Sequence, residues 1–227
     1  MFKIDNESKL NYYINKCNIN EMFNTDMTKY MELYHFKKGE HICSSGEELN
    51  HLYFFLKGRA KVYISAPNGK SLLIRFYSPI QIIGDTEILN NTTIDCNIQA
   101  IKDCLCLAIP REIIEKVALN DAKFLSYTCR QLAFKLSSAS LSSSINMLYP
   151  LENRLASYIL ATYSTEEGYD NSSDTLTQIS EQLGTSYRHL LRVLDKFCSE
   201  KIIKKDGKDI TILNIKKLEK LAGDLYQ

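Results

Sequence analysis

Between Asn120 and Pro150 the chain reads as one uninterrupted helix, and the length of that helix limits every fold the rest can adopt. Asn120 or Asp121 can cap it, because a side-chain oxygen there accepts one of the first free backbone N–H groups. Pro150 ends it. The span is roughly 28 residues, or about 40 Å at 1.5 Å per residue, longer than the core of a small domain needs. Leu125, Cys129, Leu132, Leu136, Ala139, Ser143 and Asn146 recur along it at spacings of four and three, the pattern of a coiled-coil seam. A second row, Phe134, Leu141 and Leu148, is expected to pack against the helix's own domain. A single helix buried by its own chain is the alternative. Two separate apolar faces favour pairing with a second copy.

The chain changes character on either side of that helix. From about 30 to 109, "LYFFLKGRAKVYI", "SLLIRFYS", "CNIQAI" and "CLCLAI" are β-branched, aromatic or alternating, with turn clusters between them. "APNGK" is a hairpin turn signal. Many short strands at this spacing predict a barrel or jelly roll, and Pro110 then opens helical structure. Beyond Pro150, "LENRLASYILATYS" is an amphipathic helix and "TEEGYDNSSD" a polar loop.

The last block has helix-turn-helix grammar. Thr175 and Gln178 stand at capping-box spacing, "LTQISEQL" stops at Gly184, and Ser186 can cap the next helix. In that helix Leu190, Val193, Leu194 and Phe197 follow i, i+3, i+4, i+7 and must face a core. Arg188, Arg192 and Lys196 line the opposite surface, with Tyr187 and His189 at its start and Asp195 as the one acidic neighbour expected. Arginines at the front of a second helix suit base edges in a major groove, because the guanidinium fork matches the guanine acceptors. "KIIKKDGKDITIL" reads as two strands joined at Asp206-Gly207, a cationic wing carrying Lys204, Lys205 and Lys208 that can hold phosphates. Asn214 can cap a final helix ending near Gly223. The candidate contacts to double-stranded DNA are Thr175, Thr185, Ser186, Tyr187, Arg188, His189, Arg192, Lys196, Lys205 and Lys208. A helix-turn-helix that touches protein instead of DNA is the competing reading.

Composition removes other classes. The net charge is only +1, yet residues 175–227 carry +3 and the remainder −2, so the basic excess sits where the helix-turn-helix lies. Seven cysteines, an odd number without a repeated spacing, do not make a disulfide framework. With no apolar run near 18 residues and no secretory signal, the expected location is the cytoplasm, with no membrane partner. A metal-dependent jelly-roll enzyme needs clustered histidines. His35, His41 and His51 are spread apart, so neither enzyme, metal site nor haem is expected.

Over nearly its whole length the chain resembles the Crp/Fnr superfamily of bacterial transcription regulators. "KKGEHICSSGEELNHLYFFLKGRAKVYISAPNGKSLLIRFYSP", "IIGDTEIL", "IPREIIEKV", the long helix and "ISEQLGTSYRHLLRVL" carry the resemblance. It implies an α+β chain: a cyclic-nucleotide-binding-like β-roll of jelly-roll type (1–119), a dimerisation helix (120–149) and a winged helix-turn-helix (150–227). It also implies a homodimer, a two-fold symmetric operator and contact with RNA polymerase. The effector pocket falls at Ile83, Gly84, Asp85, Thr86, Thr93, Ile94, Asp95 and Ser140.

Where members that respond to cyclic nucleotide hold the phosphate with Arg-Ser, this chain has Ile94 and Asp95. A phosphate there meets a carboxylate and no guanidinium, which argues against cyclic AMP. The oxygen-sensing branch holds an iron–sulfur cluster through several cysteines near the amino terminus, where this chain has only Cys17. Cys104 and Cys106 share a strand face with Cys96 expected nearby. They read as buried hydrophobes, with a redox-sensing thiol pair left open, and no cofactor is expected. The recognition helix also departs from the family pattern, with Arg188 where a Glu is frequent, so no operator sequence carries over.

Overall fold

The structure, a computed structural model, describes residues 1–77, 79–163, 174–207 and 209–223. It is α+β and divides into two compact units, one built from 1–62 and 77–138, the other from 63–76 and 139–227.

The first unit opens with β1 (Phe2–Lys3), α1 (Glu7–Lys16), β2 (Glu32–Phe36), β3 (His41–Cys43) and β4 (His51–Lys57). Next in the chain come β5 (Ala60–Ser65) and β6 (Ser71–Tyr77), whose residues 63–76 belong to the second unit, and then, again in the first, β7 (Gln81–Ile83), α2 (Asp85–Asn90), β8 (Asn97–Ala100), β9 (Cys104–Pro110) and α3 (Arg111–Lys116). One sheet runs β1-β2-β9-β4-β7 and a second β3-β8-β5-β6. Both neighbours of β9 pair with it antiparallel, Tyr34 opposite Cys106 on one side and Phe54 opposite Leu107 on the other. Near-continuous burial along β4 and β9 replaces the in-out alternation of a half-exposed strand. Phe23 explains part of it, lying against Phe54 at 6.2 Å and stacking on Phe124 at 5.0 Å.

The long helix is α4 (Ala122–Leu148), 27 residues. Asp121 starts it, its carboxylate accepting from the backbone N–H of Lys123 at 2.9 Å and, across the chain, from Asn24 at 2.6 Å. The face of α4 that packs inward is not the one expected. Phe124, Thr128 and Ile145 are buried, while Phe134, Leu141 and Leu148 are 53%, 57% and 77% exposed. Those three therefore do not pack against their own domain. In the other row Leu125 and Leu132 are half-buried, and Cys129, Leu136, Ala139 and Ser143 are exposed. Each row holds a hydrophobic residue every seven positions. Periodicity marks both as apolar, but it cannot rank them against Phe124 and Ile145, whose contacts come from distant segments.

The second unit contains α5 (Leu151–Thr162), α6 (Leu176–Gln182), α7 (Tyr187–Ser199), β10 (Ile203–Asp206), β11 (Asp209–Ile212) and α8 (Ile215–Ala222). Most of the loop expected over 165–174 lies outside the described residues. One core gathers Leu155, Tyr158, Ile159, Leu190, Leu194, Phe197 and Leu218, with Leu73 from the 63–76 hairpin buried among them. That hairpin turns at Gly69, φ +80°, whose N–H donates to Ala66 O at 2.9 Å. In the wing Asp206 pairs with Asp209, so Asp206 belongs to β10 and not to the turn that the sequence signal suggested.

Two glycines with positive φ separate backbone strain from steric fit. A Cβ at Gly58 (φ +104°) would collide with Asp103 O and come within 2.8 Å of Cys104 Cα, whereas at Gly39 (φ +86°) it would meet open space. Urea unfolding should show Gly39→Ala losing about 1 kcal/mol from backbone strain alone. Gly58→Ala should lose roughly 1–3 kcal/mol more from the collision. Equal losses would contradict the close approach of the strands at Gly58.

Candidate nucleic-acid interface

The helix-turn-helix is assembled by local hydrogen bonds of the kind its sequence announces. Thr175 Oγ1 accepts from Gln178 N at 3.2 Å, and Thr175 N donates to Gln178 Oε1 at 2.8 Å, closing the capping box of α6. At the turn Gly184 takes φ +60°, and the N–H of Thr185 returns to Ser180 O at 2.9 Å. Ser186 Oγ then accepts from His189 N at 3.2 Å and starts α7. Arg154 of α5 donates to Leu183 O, a tie across 29 positions that the motif does not encode.

One face of α7 is sealed. Leu190, Val193, Leu194 and Phe197 are all buried, as their spacing requires. Tyr187, Arg188, His189 and Arg192 are exposed on the other side. Among the described residues neither guanidinium has a hydrogen-bond or ion-pair partner, so both forks keep their donors for an external acceptor. His189 Nδ1 lies 3.4 Å from Thr185 Oγ1, which orients the ring over the turn.

The rest of the basic row differs from the expectation. Lys196 donates to both carboxylate oxygens of Glu152 at 2.7 Å, and this hydrogen bond raises the lysine's pKa above its ordinary value. Asp195 is therefore not the sole acidic neighbour of the stripe, and Lys196 is neutralised. Asp195 itself faces Lys205 of the wing at 3.6 Å. Lys204 is exposed, and Lys208 lies outside the described residues. The free cationic surface thus narrows to the front of α7. Sequence reasoning missed Glu152 because it lies 44 positions from Lys196.

In the first unit, Ile83, Gly84, Asp85 and Ile94 are buried, Thr86 is half-buried, and Thr93 and Asp95 are exposed. Ser140 is exposed and belongs to the second unit. Asp85 pairs with Lys135 of α4, a residue absent from the expected pocket. Its signal was present: Lys135 stands eleven positions after Phe124, on the inward face of the helix. Cys104 and Cys106 are both fully buried, while Cys96 is half-buried. Burial pushes the Cys43 and Cys104 thiols up to about 12 and raises Cys106 well above its ordinary value, so these sulfurs stay protonated near neutrality and are poor nucleophiles. No group of three or more His, Cys, Asp or Glu able to hold a metal occurs among the described residues. None of the described helices is long and apolar enough to cross a membrane.

Comparison with known proteins fits this geometry. Residues 33–121 match the cyclic nucleotide-binding domain model, and residues 153–221 the Crp-like helix-turn-helix domain model. The chain is similar to the Regulatory protein YeiL of Escherichia coli O157:H7, with 36% identity covering 90% of this chain and 92% of that one. It is 27% identical to the fumarate and nitrate reduction regulatory protein of Vibrio cholerae, over 82% of this chain and 77% of that one. Among solved structures, a transcriptional regulator of the Crp/Fnr family from Eubacterium rectale aligns with TM-score 0.73 and 25% identity, covering 86% of this chain and 91% of that one. With a sensor-type roll, a long helix and a helix-turn-helix whose two leading arginines stand open, the chain belongs to the Crp/Fnr superfamily of transcription regulators.

Proposed function

We propose that the chain acts as a homodimer, that the front of α7 reads the major groove of a two-fold symmetric operator, and that a small-molecule or redox signal in the roll controls the binding. The observation that carries the reading is the pair of exposed guanidiniums at Arg188 and Arg192, held outward by the buried face of the same helix. Tyr187, His189, Thr175, Thr185 and Ser186 border that surface, and the exposed Lys204 adds a cation on the wing, where Lys205 is already held by Asp195. RNA polymerase is the further partner implied by family membership, and the cytoplasm is the site of action.

The dimer follows from α4. Leu136 is 71% exposed, and Phe134, Leu141 and Leu148 also stand in solvent in the single chain. A row of exposed apolar residues on a helix of this length is what a second copy covers. Cyclic AMP is a poor candidate for the signal. Ile94 is buried and apolar, and Asp95 offers a carboxylate where a phosphate needs a cation. The buried thiols are likewise poorly placed to sense redox state.

Arg188→Glu combined with Arg192→Glu should weaken binding to a duplex selected from a random pool by at least about 30-fold, since each bidentate contact contributes roughly 1–3 kcal/mol. Unfolding stability should change by no more than about 0.5 kcal/mol, as for other exposed substitutions. Lys196→Ala, which removes a cation already held by Glu152, should weaken binding less than Arg192→Ala. Unchanged affinity in the double variant would favour a helix-turn-helix that contacts protein. Sedimentation should find the wild type dimeric and Leu136→Glu monomeric, and a dimeric Leu136→Glu would remove α4 from the interface.

A further inference from the structure

Lys135 lies on the inward face of α4, and its ammonium donates to Asp85 at the start of α2. Asp85 is buried and Lys135 half-buried, with side-chain exposure of 1% and 14%. Gly84, immediately before α2, has φ +95°, and a Cβ there would press on the Leu49 side chain. Glu87 adds a second carboxylate nearby, raised in pKa first by burial and then by the charge of Asp85, with Lys135 acting to lower it. The second oxygen of Asp85 and the hydroxyl of Thr128 have no hydrogen-bond partner among the described residues, and both residues border a cavity of about 10 Å³.

Stability alone is a weak reason to keep this arrangement. A buried ion pair can often be replaced by apolar residues without loss, whereas breaking it from one side is costly, so its best-attested use is to fix one packing register among several. Here the register is that of α4 on the roll, and the same helix carries the exposed rows assigned to the dimer.

We propose that Lys135 is a tethered counter-ion that positions α4 on the roll in the way an external effector otherwise would, so that the ligand-free chain is the DNA-binding form. This rests on the reading of the chain as a DNA-binding dimer. A small molecule entering beside Asp85 then has to displace Lys135, and it acts by releasing DNA.

The full-length protein, unfolded in guanidinium, desalted and refolded to remove any bound small molecule, should bind a duplex selected by untreated protein within about twofold of the untreated affinity, with or without cyclic AMP as the probe. Lys135→Met should weaken binding about tenfold, within the usual range of coupling between sites. Asp85→Leu combined with Lys135→Met keeps the site uncharged and should fold stably yet still bind weakly. The exchanged pair, Asp85→Lys with Lys135→Glu, should recover most of the affinity. The proposal is overturned if refolded protein binds only when cyclic AMP is supplied, or if the apolar pair binds DNA as the wild type does. Failure of the untreated wild type to select any duplex would instead end the DNA-binding reading, and this proposal with it.

Discussion

The structure depends on how α7 divides its surface. Four apolar side chains, Leu190, Val193, Leu194 and Phe197, are committed to the core of the second unit, and that commitment fixes the rotation of the helix about its axis. With the rotation fixed, Arg188 and Arg192 have no inward alternative. Arg154 reinforces the arrangement by donating to Leu183 O, which anchors the turn that sets where α7 begins. The open arginines are thus a consequence of packing, and the exposed fork costs the fold nothing in unpaired buried charge.

The same logic of divided faces governs α4. Phe124, Thr128, Lys135 and Ile145 turn inward, and the two remaining apolar rows stay outside. A helix of 27 residues can carry three such stripes because each recurs on its own angular track. One stripe belongs to the fold, and the others are surface that a lone chain leaves uncovered. Within the inward stripe Lys135 carries a charge, and Asp85 is what makes that charge tolerable.

Local signals were legible in the sequence. Thr175 and Gln178, Ser186, the apolar stripe of α7 and the cap at Asn214 all depend on residues a few positions apart, and each forms as its spacing dictates. What the sequence hid was long-range pairing. Glu152 neutralises Lys196 from another helix, Lys205 turns to Asp195, and Lys135 reaches Asp85 across 50 positions. The short helices α1 and α2 were also missed. The second lies within the strand-rich stretch and is only six residues long, too short to show a period. The two rows on α4 were assigned by periodicity alone, and only the positions of Phe23 and the roll decide which face turns inward.

The central claim is that two copies of α7 present Arg188 and Arg192 to one duplex. Hydroxyl-radical footprinting of the full-length protein on a selected duplex tests it most directly. Two equivalent protected half-sites related by a two-fold axis are expected, with centres about 34 Å apart along the helix axis. A single protected segment without that symmetry, or protection that is identical when both arginines are replaced, would contradict it.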